Sequence, residues 1–160
     1  MASKSSAGIL MYRVRNGTVE VFLVHPGGPY WAKKDDGSWS IPKGEFEKAE
    51  DPLAAAKREF QEETGFSCSG EFLELAPVKQ LGGKTVYAWA ISGDCDAEAV
   101  RSNTFSIEWP PRSGKRAEFP EVDRAAWFPL DVAKEKIQSG QRGLLQQLES
   151  ILPPSRARES

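Results

Sequence analysis

Gly44-Glu45-Phe46-Glu47-Lys48-Ala49-Glu50-Asp51-Pro52-Leu53-Ala54-Ala55-Ala56-Lys57-Arg58-Glu59-Phe60-Gln61-Glu62-Glu63-Thr64-Gly65-Phe66 is the stretch that decides the fold. Asp51 can accept hydrogen bonds from first-turn amides, Pro52 suits the first helical position, and Leu53, Ala56 and Phe60 recur at helical spacing. The spacing predicts a helix over 51–64 that Gly65 stops. Glu59 lies three residues from Glu62 and four from Glu63, so the three carboxylates share one helix face. Each like-charge pair at that spacing costs a few tenths of a kcal/mol, and the negative end of the helix dipole adds to the repulsion. A hard divalent cation compensates directly, because magnesium takes carboxylate oxygens together with water and substrate phosphates. Taken alone, Glu-x-x-Glu-Glu reads as a solvated acidic surface. Its neighbours change that reading.

Upstream of this stretch, residues 7–25 alternate apolar and polar side chains around Asn16-Gly17, a turn-forming pair, which predicts an opening β-hairpin. Pro26-Gly27-Gly28-Pro29 and the residues to Ser38 predict a surface loop, after which Trp39-Ser40-Ile41 re-enters the core. Downstream, strands are predicted at 72–80 and 85–91, separated by Leu81-Gly82-Gly83-Lys84, with another near 102–108. Pro110 to Pro120 reads as an irregular basic loop. Trp127-Phe128 begins the last unit, leading through Pro129-Leu130-Asp131 into a short helix and a further helix near 143–151. One domain is expected over residues 5–152, with 153–160 a flexible tail.

A chain of 160 residues with 39% hydrophobic side chains suits one packed core. The net charge of -2 offers no global attraction to nucleic acid or anionic lipid, so stable binding to either is not expected and a polyphosphate must be held locally. No apolar run approaches the roughly 20 residues that span a bilayer, and Met1-Ala2-Ser3-Lys4-Ser5-Ser6 lacks a signal-peptide core, so a cytoplasmic location is expected. Cys68 and Cys95 are isolated in sequence, arguing against a disulfide framework or a zinc site.

Gly44-x5-Glu50-x7-Arg58-Glu59-Phe60-Gln61-Glu62-Glu63-Thr64-Gly65-Phe66 resembles the Nudix box at every fixed position, and the chain is identified as a member of the Nudix hydrolases. The resemblance implies an α/β fold, an α/β/α sandwich with a mixed sheet and a catalytic loop–helix–loop. It also implies hydrolysis of a phosphoanhydride bond in a nucleoside diphosphate derivative by metal-activated water. Glu59 and Glu63 would bind Mg2+, for which Mn2+ can substitute, with Glu62 a further ligand or a base and a backbone carbonyl near Lys43-Gly44 completing the shell. Glu50 and Arg58 would hold the loop against the helix as a buried charge pair, and Gly65 would serve the loop geometry.

Glu121 precedes Trp127 by six residues, the spacing at which dinucleoside polyphosphate hydrolases of the family carry a glutamate that contacts metal or water; the alternative is a surface acid. Trp39-Ser40-Ile41-Pro42-Lys43-Gly44 resembles the run preceding the box in those same enzymes, with Lys43 a point charge for a phosphate tail. Tyr87 and Trp89, on one face of a strand, either stack a base or belong to the core. Lys79, Lys84 and the run Arg112 to Arg116 are candidate phosphate contacts. His25, the only histidine, is either a surface residue at a strand end or a participant. A dinucleoside polyphosphate is the first expected substrate and an oxidised nucleoside triphosphate the second. A diphosphoinositol polyphosphate and an idle nucleotide-binding module are the alternatives, although an idle module typically loses box carboxylates that this chain keeps.

Overall fold

The structure, a computed structural model, describes residues 5–80 and 82–152. The expected tail at 153–160 and Leu81 of the expected turn lie outside the described residues. Strands β1 (Ser5–Arg15) and β2 (Thr18–Pro26) form the opening hairpin. Asn16 and Gly17 turn it with φ of 53° and 77°, values that Asn and Gly tolerate best. β3 (Lys43–Glu45) leads toward helix α1 (Pro52–Thr64), followed by β4 (Leu73–Glu74), β5 (Val78–Lys79) and β6 (Thr85–Ser92). Then come β7 (Thr104–Glu108), β8 (Arg116–Pro120), β9 (Val122–Pro129), α2 (Leu130–Lys136) and α3 (Arg142–Ile151).

The main sheet runs β4-β6-β1-β2-β9, with β3 on β1 and β5 on β6. β1 and β6 are parallel and the other pairs antiparallel, giving a mixed sheet. One face carries Ala7, Ile9, Met11, Phe22 and Val24 onto Ala55, Ala56 and Phe60 of α1. The other carries Leu10, Val21, Leu23, Val86 and Ala88 onto Leu130 and Ala133 of α2 and Leu144, Leu145 and Leu148 of α3. The α/β/α sandwich follows, because a sheet apolar on both faces needs a helical layer on each.

β1 departs from the expected alternation: Ser6 to Met11 are buried without interruption, as a central strand covered on both faces requires. The predicted strand at 72–80 is two short pieces, β4 and β5, both paired to β6. The irregular loop expected over 110–120 is corrected in its second half. Arg116–Pro120 is a strand, joined to β7 in a separate two-stranded sheet with Phe105 opposite Phe119 and Ile107 opposite Ala117. Trp39-Ser40-Ile41 does re-enter the core, bridged to Val24 and Ile137 and held by the buried Gln141 side chain, which accepts from Ile41 N at 3.0 Å.

Candidate active site

Helix α1 begins where the sequence places it. The Asp51 carboxylate accepts from Ala54 N at 2.9 Å, and Gly65 closes the helix at φ 83°, its amide donating to Gln61 O. Phe60, fully buried against Phe22, fixes the helix rotation. Its apolar face is thereby locked onto the sheet, and Glu59, Glu62 and Glu63 are left along the edge facing β3.

β3 is the other wall. Antiparallel pairing sets Gly44 opposite Ala7 and Lys43 opposite Gly8. Gly44 lies so close to the Glu59 carboxylate that a Cβ there would occupy its position. The Lys43 amide donates to Glu63 Oε1 at 3.2 Å, tying strand to helix at the acids. A third wall is built where β2 and β9 separate. Their ladder slips between His25 and Pro26, Gly27 N donates to Glu121 O at 2.9 Å, and Glu121 N donates to Asn103 O at 2.8 Å. Asn103 N in turn donates to Glu62 O at 2.8 Å. Asn103 thus joins the helix end to the segment bearing Glu121, a role that no sequence pattern announces.

The result is one open cavity of about 550 Å3 lined by Glu59, Glu62, Glu63, Glu121, Lys43, Gly44 and Phe105. Burial, with little counter-charge, dominates its electrostatics. Glu63 is pushed up from 4.5 to about 8, by burial first and by Glu59 and Glu121 in addition, against the pull of Lys43. Glu59 is raised by burial and by Glu62, with Arg58 opposing. Glu121 is raised by burial and by Glu62. Lys43 is lowered by burial and by Lys84, the nearby acids opposing.

Arg58 donates to Glu50 at 3.1 and 3.2 Å, to Glu59 at 2.9 Å and to Glu62 at 3.3 Å. This network is partly solvent-exposed, so the expected buried pair is corrected: Arg58 works from the surface, fixing the carboxylates' directions rather than filling a core charge site. Lys43 borders two further cavities, one of about 380 Å3 with Trp31, Lys84, Gln80, Gln138 and Ser139, the other a narrow one reaching Glu63 and Glu121. Lys84 also pairs with Glu45 at 3.1 Å. Tyr87 is not among the residues lining the acid cavity; it pairs with Ala7 in the sheet and meets Phe46 edge-on at 6.0 Å. Trp89 packs against the α1-side core. Lys79 lies on β5, opposite Thr85.

His25 is fully buried, contrary to a surface placement. Its Nε2 donates to Lys34 O at 2.6 Å and its Nδ1 lies 2.8 Å from Asp123 Oδ1. It locks the loop after β2 onto β9 and does not line the acid cavity.

The donor set fits a hard cation: every candidate ligand is an oxygen, and three of the four acids are held toward their neutral forms by burial and mutual repulsion, which a cation would reverse. Among the described residues no group of three or more His, Cys, Asp or Glu side chains is already gathered closely enough to hold a metal ion.

A family model described as the NUDIX domain matches residues 3–148. The 8-oxo-(d)GTP phosphatase of Mycolicibacterium smegmatis is 32% identical over 124 residues, spanning 76% of this chain and 30% of that protein. The mRNA decapping complex subunit 2 of Schizosaccharomyces pombe is 34% identical over 85 residues, 48% of this chain and 11% of that protein. This chain therefore spans less than a third of the length of either curated relative. In fold it is similar to an Ap4A hydrolase of C. elegans in a binary complex, with TM-score 0.61 and 22% identity, covering 92% of this chain and 96% of that one. It is also similar to the NUDIX domain of Shewanella oneidensis NrtR complexed with ADP ribose, with TM-score 0.65 and 15% identity, covering 96% and 90%.

Proposed function

The chain belongs to the Nudix family of pyrophosphate-cleaving hydrolases, and on that premise we propose that it performs magnesium-dependent hydrolysis of a phosphoanhydride bond in a nucleoside polyphosphate. The observation that supports this most is the single cavity into which Glu59, Glu62, Glu63 and Glu121 all open, with Lys43 on its wall. Burial and mutual repulsion raise Glu59, Glu63 and Glu121 together in one cleft, the pattern of a site that binds a cation.

Glu59, Glu63, Glu62 and the Gly44 carbonyl are the groups that would hold the metal. When bound, the ion neutralises phosphate oxygens and lowers the pKa of the attacking water. Lys43 orients the polyphosphate beside the acids from the junction of the three cavities. Arg58 aims Glu59 and Glu62 by donating to both. Glu121 has a raised proton affinity and, among the described residues, makes no ion pair. It accepts the proton of the attacking water, with Glu62 beside it as further ligand or base.

A dinucleoside polyphosphate is the first substrate, because Lys43 lines both the acid cavity and a second cavity of about 380 Å3, more room than one phosphate tail needs. An oxidised nucleoside triphosphate is the second, on the strength of the 8-oxo-(d)GTP phosphatase relative. Among the described residues no helix is long and apolar enough to cross a membrane. The test is incubation with magnesium, or with EDTA, and a panel of Ap4A, nucleoside triphosphates, 8-oxo-dGTP, ADP-ribose and inositol pyrophosphates, with products separated by chromatography. Magnesium-dependent cleavage of Ap4A ahead of the others is expected. Absence of turnover on every member overturns the reading.

A further inference from the structure

The hairpin formed by β7 and β8 stands outside the main sheet, yet its root is bound to the acids. Asn103, one residue before β7, bonds to both Glu62 and Glu121, and Phe105 lines the acid cavity. The Phe105 ring also touches Gly28, where a Cβ would approach it to 2.9 Å. From that root the five residues of β7 carry the chain roughly 17 Å outward at about 3.3 Å per residue.

The tip is ordered for a surface turn. Glu108 accepts from Arg112 N at 3.3 Å and from Gly114 N at 3.0 Å, and Trp109 N donates to Lys115 O at 2.9 Å. Trp109 meets Tyr30 of the loop after β2 at 5.4 Å with the rings nearly perpendicular. Tyr30 remains 61% exposed. Trp31, its neighbour in sequence, is also exposed and lines the cavity on the Lys43–Lys84 side. Two aromatic side chains beside the cationic Arg112 and Lys115 at a hydrogen-bonded tip have the chemistry of a base-stacking platform with phosphate contacts. A purely structural corner would serve only to pin the loop, and Gly27 to Glu121 and Gly28 to Phe105 already pin it.

We propose that the tip of this hairpin, together with Tyr30, receives the second nucleoside of a two-ended polyphosphate whose bridge lies on the acid cavity. The inference rests on the hydrolase reading above and specifies its substrate as two-ended. Tyr30 stacks the distal base, Trp109 buttresses Tyr30, and Arg112 and Lys115 draw in the phosphates of that half. The hydrogen bonds that close the tip turn form without a ligand, which lowers the ordering cost of binding there.

The test uses methylene-bridged, uncleavable analogues of Ap4A and of ATP, titrated calorimetrically with magnesium present into wild type, Tyr30→Ala and Trp109→Ala. Wild type is expected to bind the Ap4A analogue about tenfold or more tighter than the ATP analogue, the scale set by stacking one base. Each substitution is expected to bring that ratio toward one. Tyr30 is exposed, so its variant keeps the comparison valid if Trp109→Ala proves poorly folded. A wild-type ratio near one, or variants that weaken both analogues equally and leave the ratio intact, overturns the proposal. Tight, Tyr30-dependent binding by a protein that cleaves nothing would overturn the hydrolase reading and leave the distal site standing.

Discussion

Replacing Glu63 with glutamine is expected to stabilise the metal-free protein in alkaline solution while abolishing turnover. The Glu63 carboxyl is raised from 4.5 to about 8, chiefly by burial. The folded state therefore keeps a proton that the unfolded chain releases between those values. The stability this confers is fully present below pH 4.5 and is lost as pH rises through about 8. At about 1.4 kcal/mol per pH unit, that interval sets a ceiling near 5 kcal/mol, and the partial exposure of the side chain makes about 2–4 kcal/mol the realistic gain. Glutamine keeps the shape and the oxygen that accepts from Lys43 N but never ionises. Urea unfolding in EDTA between pH 4.5 and 8.5 measures the difference. Wild type should lose stability across that range and Glu63→Gln should lose distinctly less, retaining only the slope due to Glu59 and Glu121. Magnesium at pH 8 should restore wild type far more than the variant. Superimposable pH profiles, or a variant less stable than wild type at pH 8.5, would refute the argument that Glu63 is held against its own ionisation for a ligand's sake.

Three more perturbations test two residues of the site and the buried histidine behind the loop after β2. Glu121→Gln should lower kcat by about 10²-fold or more while changing magnesium affinity only slightly, as removal of a general base does; comparable losses in both would make it a ligand instead. Gly44→Ala places a methyl group on the Glu59 carboxylate, so magnesium affinity measured by calorimetry should fall about 10–100-fold with circular dichroism unchanged. His25→Ala strands the Lys34 carbonyl and Asp123, and denaturant unfolding at neutral pH should show a loss of about 2–4 kcal/mol; a loss under 1 kcal/mol would mean that solvent replaces those bonds freely.

The helix and its acids were legible because local chemistry determines them: a capping Asp51, an N-terminal Pro52, a terminating Gly65 and Phe60 at the period of the buried face all agree. Asn16-Gly17 announced the first hairpin for the same reason. β8 was hidden because Pro110, Pro111, Gly114 and Pro120 crowd its ends, although Ala117 and Phe119 do alternate with exposed neighbours. Two-faced burial of β1 depends on which strands flank it, a tertiary fact that alternation within the strand does not carry. His25 shows the same limit, since its partners Lys34 and Asp123 come from a loop and a distant strand. Asn103 and Gln141 contribute through their positions in the folded chain, and nothing in their neighbourhoods marks them. The meeting of Glu121 with the box acids rests on the bonds from Gly27 and Asn103 that steer its segment into the cavity.

Phosphorus NMR of Ap4A incubated with wild type and with Glu63→Gln, each in magnesium and in EDTA, tests most directly the claim that the acid cavity is a metal-dependent phosphoanhydride hydrolase site. Bridging phosphoanhydride signals should give way to terminal phosphate signals only with wild type in magnesium, and the variant should be slower by orders of magnitude. Conversion in EDTA, or by Glu63→Gln at a rate near wild type, would contradict it.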